Sequence, residues 1–163
     1  MSNFQSGFWR VPSALLLALL LTGCGYMAAR DLDGQQTELP ADFSFLDDKT
    51  PCYLELREGD RGLRMNCFHI NGELYIHSSR WARLPRLSGE SWTVTVLREP
   101  NVRVQIAERI YRVRAVRIDD ENRRQEILYD RGYWYAWDAI SVYRFVARHE
   151  DCGHGDCVEV QGE

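Results

Sequence analysis

Two hairpin turns confine this chain more tightly than any other feature. Gly59-Asp60 and Asn71-Gly72 each sit between runs of alternating apolar and polar residues, in the stretch from Cys52 to Ser79. Asn-Gly is the strongest short hairpin signal in a sequence, and Gly-Asp fits a two-residue primed turn. Read that way, the first turn sets Leu56 opposite Leu63, Leu54 opposite Met65 and Cys52 opposite Cys67. The second sets Phe68 opposite Tyr75, Cys67 opposite Ile76 and Arg64 opposite Ser79. Strand side chains alternate sides. One face of this meander therefore carries Cys52, Leu54, Leu56, Leu63, Met65, Cys67, Leu74 and Ile76, an expected core face. The other carries Tyr53, Glu55, Arg64, Asn66, Phe68, Tyr75 and His77.

The N-terminus bounds location. A short segment ending at Arg10, an apolar run from Ala14 to Leu21 and then small residues have the order of an export signal over 1–23, too short to span a bilayer. The junction Leu21-Thr22-Gly23-Cys24 resembles the bacterial lipobox. That resemblance implies diacylglycerol on the Cys24 thiol, cleavage before it and acylation (commonly palmitate) of the new amino group. Several acyl chains on one residue give stable attachment. Gly25 after the cysteine implies sorting to the outer membrane, with the domain facing the periplasm. Gly34, Gln35, Gln36 and Pro40 make 24–50 read as a flexible tether, with Phe43, Phe45 and Leu46 available to pack on the domain edge.

Loss of Arg10 with the signal leaves a chain still more acidic than its formal net charge of −4, which argues against nucleic acid as a partner. Four cysteines remain after Cys24, and an even count in an exported chain reads as disulfides. The hairpin register joins Cys52 to Cys67, and Cys152 and Cys157 then pair across a short glycine-containing loop. His149, Cys152, His154 and Cys157 also have the order of a zinc site, but an oxidising compartment favours the disulfide, so no metal is expected.

Downstream, Ser78 to Gly89 reads as a loop or short helix. Trp92, Val94 and Val96 alternate as a strand, Glu99-Pro100-Asn101 breaks it, and Val102, Val104 and Ile106 form the next. A turn at Glu108-Arg109 would pair Ile106 with Tyr111, Val104 with Val113 and Arg103 with Arg114. Like charges opposite each other require an intervening carboxylate or a bound anion. A bulge near Ala115 would explain the phase change to Val116 and Ile118. Asp119-Asp120 can cap a helix to about Tyr129, and Ile140 to Ala147 makes the last strand. The expected domain, 51–148, is mainly β: about six antiparallel strands with one short helix before the last, closed into a six-stranded split barrel to remove edges. The tail, 149–163, is polar and cysteine-clamped.

The residues Trp92, Leu97, Val102, Val104 and Ile106, with Leu74-Tyr75-Ile76-His77-Ser78-Ser79 and Val142-Tyr143-Arg144-Phe145, resemble the flavin-binding split barrels. Within them the likeness is to the deazaflavin-dependent nitroreductase-like branch, and it runs from Cys52 to Arg148. It implies a split barrel with a flavin or deazaflavin on the outer sheet face, often at a homodimer interface. The matching cofactor positions are Arg64, His77, Ser78, Ser79 and Arg80, with Arg57 and Arg61 in the first hairpin.

Other features carry weaker chemistry. Tyr53, Asn66 and His77 line up on the non-core face, which is more often solvated or helix-covered than a site. Arg80, Arg83 and Arg86 beside Trp81 could hold a phosphate or an anionic headgroup. Tyr133, Trp134, Tyr135 and Trp137 could form a lid or partner surface, or more simply plug the barrel end. His77 has no evident nucleophile or carboxylate partner, so no catalytic residue is assigned. The sequence therefore reads as a membrane-anchored lipoprotein whose small barrel is a binding or envelope-interaction module. A flavin- or deazaflavin-dependent oxidoreductase and a purely structural envelope protein are the alternatives.

Overall fold

The computed structural model describes residues 29–47, 49–80, 82, 89–134 and 138–148. Seven strands form one sheet: β1 (Gln35–Gln36), β2 (Thr50–Glu55), β3 (Leu63–Ile70), β4 (Glu73–His77), β5 (Asn101–Ile106), β6 (Arg109–Arg117) and β7 (Val142–Ala147). Helix α1 (Trp92–Arg98) precedes β5, and α2 (Glu121–Asp130) lies between β6 and β7. The order is β1-β6-β5-β2-β3-β4-β7, and β6 also pairs with β7. Strands β2 to β7 therefore close into a six-stranded antiparallel barrel, as expected, and β1 adds a short parallel pairing to the start of β6.

The expected core face is the barrel interior. Cys52, Leu54, Met65, Cys67, Leu74 and Ile76 are buried there with Val102, Val104, Ile106, Tyr111, Val113 and Phe145, and Leu56 and Leu63 pack against them. Eight-stranded interiors are only just wide enough for side chains, so this narrower barrel is solid and any ligand has to bind outside it.

The second hairpin forms as expected, with Phe68 opposite Tyr75 and Ile70 opposite Glu73. Asn71 and Gly72 have φ of 52° and 81°, the two positive values of a type I′ turn. The other two registers slip by two residues. Leu54 pairs with Leu63 and Cys52 with Met65, because Gly59-Asp60 does not form the two central turn residues. Asp60 N–H bonds the Arg57 carbonyl at 2.9 Å, and Gly59 N–H donates to the Glu55 carboxylate at 3.2 Å, widening the loop. Similarly, Ala107 takes a φ of 52°, so the turn falls one residue early, and Val104 faces Tyr111 while Arg103 faces Arg112 rather than Arg114. A slip of two preserves side-chain parity, which is why the core face survives both corrections. The Cys52–Cys67 disulfide survives as well, as a diagonal rather than a directly opposite pair, with Cα atoms 5.8 Å apart.

The segment Trp92–Arg98 is a helix, not the expected strand. Its buried residues are Trp92, Thr93, Thr95 and Val96, a one-sided helical stripe, whereas Val94 is exposed. β-Branched residues favoured a strand, but burial of Trp92 and Val96 in the barrel core overrides that weak preference. The Tyr143 hydroxyl secures α1 by donating to the Thr93 carbonyl at 3.2 Å. No bulge interrupts β6: its ladders to β5 and β7 run in register, and the phase change arises because Ile118 packs under α2. Helix α2 starts as expected, Asp120 accepting from Arg123 N–H at 2.6 Å.

The expected tether belongs to the fold from Ala29 onward. Phe43 and Leu46 are buried in the core, although Phe45 is exposed. The Gln105 side chain is buried and binds Asp33 through both ends: it accepts from Asp33 N–H at 2.9 Å and donates to the Asp33 carbonyl at 2.6 Å. It also donates to the Ala107 carbonyl at 2.7 Å. A Cβ on Gly34 would lie 2.6 Å from the Glu108 carbonyl oxygen, so only glycine allows this approach.

The disulfide spans a sequence separation of 15, for which loop closure predicts about 3 kcal/mol. The double variant Cys52→Ala/Cys67→Ala is expected to lose about that much unfolding free energy in urea, with native circular dichroism retained. An unchanged midpoint would show that the strand ladder alone sets this stability.

Candidate functional site

The five expected cofactor residues divide into two groups. Arg64, Ser79 and Arg80 are exposed. Ser78 is buried: its N–H donates to the Ser141 carbonyl at 2.8 Å and its hydroxyl accepts from Ser141 N–H at 2.9 Å, joining β4 to the approach of β7. His77 lies below α2. Its Nδ1 is 3.0 Å from the Ser78 carbonyl, which can only accept, so Nδ1 carries the proton. Nε2 is then the acceptor for the Tyr133 hydroxyl at 3.3 Å. His77 and Ser78 thus hold the fold together, and a flavin phosphate could meet only the exposed three without breaking these bonds.

The hairpin arginines are also engaged. Arg57 binds Glu99 through two nitrogens at 2.6 and 2.7 Å. That contact holds the exposed Glu99 carboxyl down at about 2. Arg61 donates to the Ala29 carbonyl. Arg64 lies opposite Tyr53 rather than Glu55. Instead the buried Glu55 binds Arg103, and its hydrogen bond raises the Arg103 pKa. The Glu55 carboxylate therefore supplies a countercharge to Arg103 on β5. Trp81, Arg83, Arg86, Cys24 and the expected Cys152–Cys157 pair lie outside the described residues. Among the described residues no group of three or more His, Cys, Asp and Glu could hold a metal.

Much of the barrel's outer face near β3 and β4 is helix-covered, the plainer of the two expectations. Phe68, Tyr75 and Val142 pack with Ile127, Leu128 and Ile140 in a second core under α2. Burial, helped by the hydrogen bond to Glu73, pushes the Tyr75 hydroxyl up to about 12. Tyr53 and Asn66, aligned with His77 in the sequence, stay outside this cover; Arg30 lies over the Tyr53 ring at 3.9 Å.

The other side of α2 is different. Ile127 and Leu128 face the barrel, so Asn122, Gln125, Glu126 and Tyr129 form the outer stripe at i, i+3, i+4 and i+7. The helix ends in a Schellman motif. Gly132, with a φ of 86°, donates its N–H to the Tyr129 carbonyl at 2.8 Å, and Tyr133 N–H donates to the Leu128 carbonyl at 2.9 Å. This reversal sends Tyr133 inward to His77 and leaves Trp134 91% exposed. With Asp130 these residues line an open concavity of about 620 Å³. Of the aromatic run, Tyr133 packs on the second core and Trp134 is solvent-facing, so neither enters the barrel core, to which α1 supplies Trp92; Tyr135 and Trp137 lie outside the described residues. The sequence signal for the concavity was the polar–aromatic stripe on α2.

No family model and no curated protein matches this chain. Among solved structures, it is similar to a Listeria innocua protein provisionally assigned as a pyridoxamine 5'-phosphate oxidase. The two share 19% identity over 60% of this chain and 82% of the other, with a TM-score of 0.46.

Burial lowers the His77 pKa from its ordinary value, and the positive charge of Arg131 acts in the same direction. The unfolded chain therefore binds more protons than the native one as pH falls below ~6.5. Stability is expected to be full above that pH and to decline as the pH drops through the lower folded value. In urea titrations from pH 8 to pH 4.5, His77→Gln should flatten this decline. An identical slope in the variant would assign the effect to other groups.

Proposed function

We propose that this chain is a lipid-anchored envelope protein whose barrel is a binding module facing the periplasm. The observation that carries this reading is the division of the outer surface. His77 and Ser78 are consumed by internal hydrogen bonds. The concavity on α2, by contrast, presents exposed Tyr129 and Trp134. Exposed aromatic side chains beside polar groups suit recognition without chemistry. The anchoring part rests on the export signal and on the lipobox order ending at Cys24. The partner on that side is membrane lipid, and Gly25 supports the outer membrane. Cells given labelled palmitate should label the wild type and place it in the outer-membrane fraction. Cys24→Ala should do neither, and labelling of that variant would overturn the anchor.

A second reading is a homodimeric oxidoreductase using flavin or deazaflavin. It is favoured by Arg64, Ser79 and Arg80, which remain exposed and could meet an anionic cofactor. Arginine would supply charge-assisted hydrogen bonds to the phosphate. Loss of Arg64 or Arg80 would then cost roughly 1.5–3 kcal/mol of binding. Fluorescence titration with flavin mononucleotide and a reduced deazaflavin separates the readings. Saturation that weakens in Arg64→Ala supports the oxidoreductase, and no binding at millimolar concentration retires it.

A further inference from the structure

We infer that the concavity on α2 is a carbohydrate site taking a neutral oligosaccharide; this deepens the binding-module reading and rests on it. Among the described residues its lining holds no Lys or Arg. An anionic phosphate or nucleic acid would meet the Asp130 carboxylate with no cation in the described lining, and Arg123 beside it is spent on Glu126, so those ligands are disfavoured. A cationic ligand is the nearer rival, but the Glu126 carboxylate is already held by Arg123 at 3.0 Å. What remains is a surface of flat aromatic rings beside planar polar groups.

That combination matches a sugar ring. A pyranose has one face of C–H groups carrying partial positive charge, and an indole or phenol face is electron-rich. Trp134 and Tyr129, 91% and 73% exposed, offer such faces without rearrangement. The rim of a sugar carries hydroxyls that both donate and accept. Amide and carboxylate side chains complement them, amides in both roles and carboxylates as acceptors. Gln125 is prepared for this: its amide nitrogen donates to Glu121 at 2.7 Å, which fixes the side chain and leaves its oxygen to accept. Asn122 and Asp130 flank it in the lining. The position is held from below, because the Gly132 reversal and the Tyr133–His77 hydrogen bond set where Trp134 emerges. At about 620 Å³ the space falls within the ~300–1,000 Å³ common for small-molecule sites.

The full-length protein in detergent should be titrated with chitotetraose, cellotetraose and maltotetraose, using calorimetry and tryptophan emission. At least one should bind saturably and shift the emission to the blue. Trp134→Ala should weaken that binding at least ~10-fold, Trp134→Phe should recover part of it, and the remote exposed variant Phe45→Ala should match wild type. Trp134 is exposed, so the variants should fold, and urea midpoints check this. The assignment is overturned if none of the three sugars binds at 10 mM, if Trp134→Ala binds as well as wild type, or if spermidine alone saturates the site. A failure of all three sugars together with palmitate on Cys24 and no flavin binding removes the sugar and leaves the module reading standing. Loss of the palmitate label from the wild type, or flavin binding that weakens in Arg64→Ala, acts on that reading instead.

Discussion

Strand β6 makes this fold possible because it takes two neighbours at once. Its first half pairs with β5 from Arg109 to Arg114, and its second half pairs with β7 from Val113 to Arg117. Without the second pairing the sheet would be open at β6 and β7, with unpaired backbone on both edges. With it, Tyr111, Val113 and Ala115 turn into a closed interior beside Phe145. β1 uses the same edge of β6 just before β7 arrives, at Arg109 and Ile110. One strand therefore organises closure, the core and the docking of the N-terminal segment.

Closure also decides where function can lie. The interior is filled, so the chemistry of the molecule is on its outside, and α2 divides that outside into two. Under the helix, polar groups are spent on holding strands: Tyr75 on Glu73, Glu73 on Arg144, His77 on Tyr133. Above it, side chains with similar chemistry face water. His77 is thus engaged in holding the fold, and under the proposed binding-module reading recognition would fall to the exposed side chains above the helix.

Much of the barrel was legible because its signals are local. Asn71-Gly72 needs only two positive φ values and forms as written. The face alternation from Cys52 to Ile76 needs only strand geometry and holds even where register slips. The first slip was illegible because Glu55 reaches Gly59 and Arg103 from outside the turn, and the second because it turns on Ala107 taking a φ of 52°, which the residue type does not signal. Trp92–Arg98 was misread because alternating β-branched residues fit both a strand and a helical stripe, and only the partner surface distinguishes them. Of the site, Arg64 and Arg80 are exposed, whereas the engagement of Ser78 by Ser141 depends on residues 63 positions apart and could not be read locally. The α2 stripe Asn122, Gln125, Glu126 and Tyr129 is legible as helical spacing, but the concavity forms only because the Gly132 reversal sets Trp134 beside it.

The N-terminal docking sets a leash. Arg30 bridges Gly62, with backbone hydrogen bonds of 3.1 and 2.7 Å, so the chain is fixed to the barrel within one residue of Ala29. Only five residue steps separate it from Cys24. At ~3.3–3.6 Å per residue that segment can reach at most about 18 Å. A lipid on Cys24 would then hold the barrel against the membrane surface instead of letting it sweep a wide volume. Any partner would have to approach the bilayer to be bound, and the domain would sample a thin layer in which even weak affinity is concentrated.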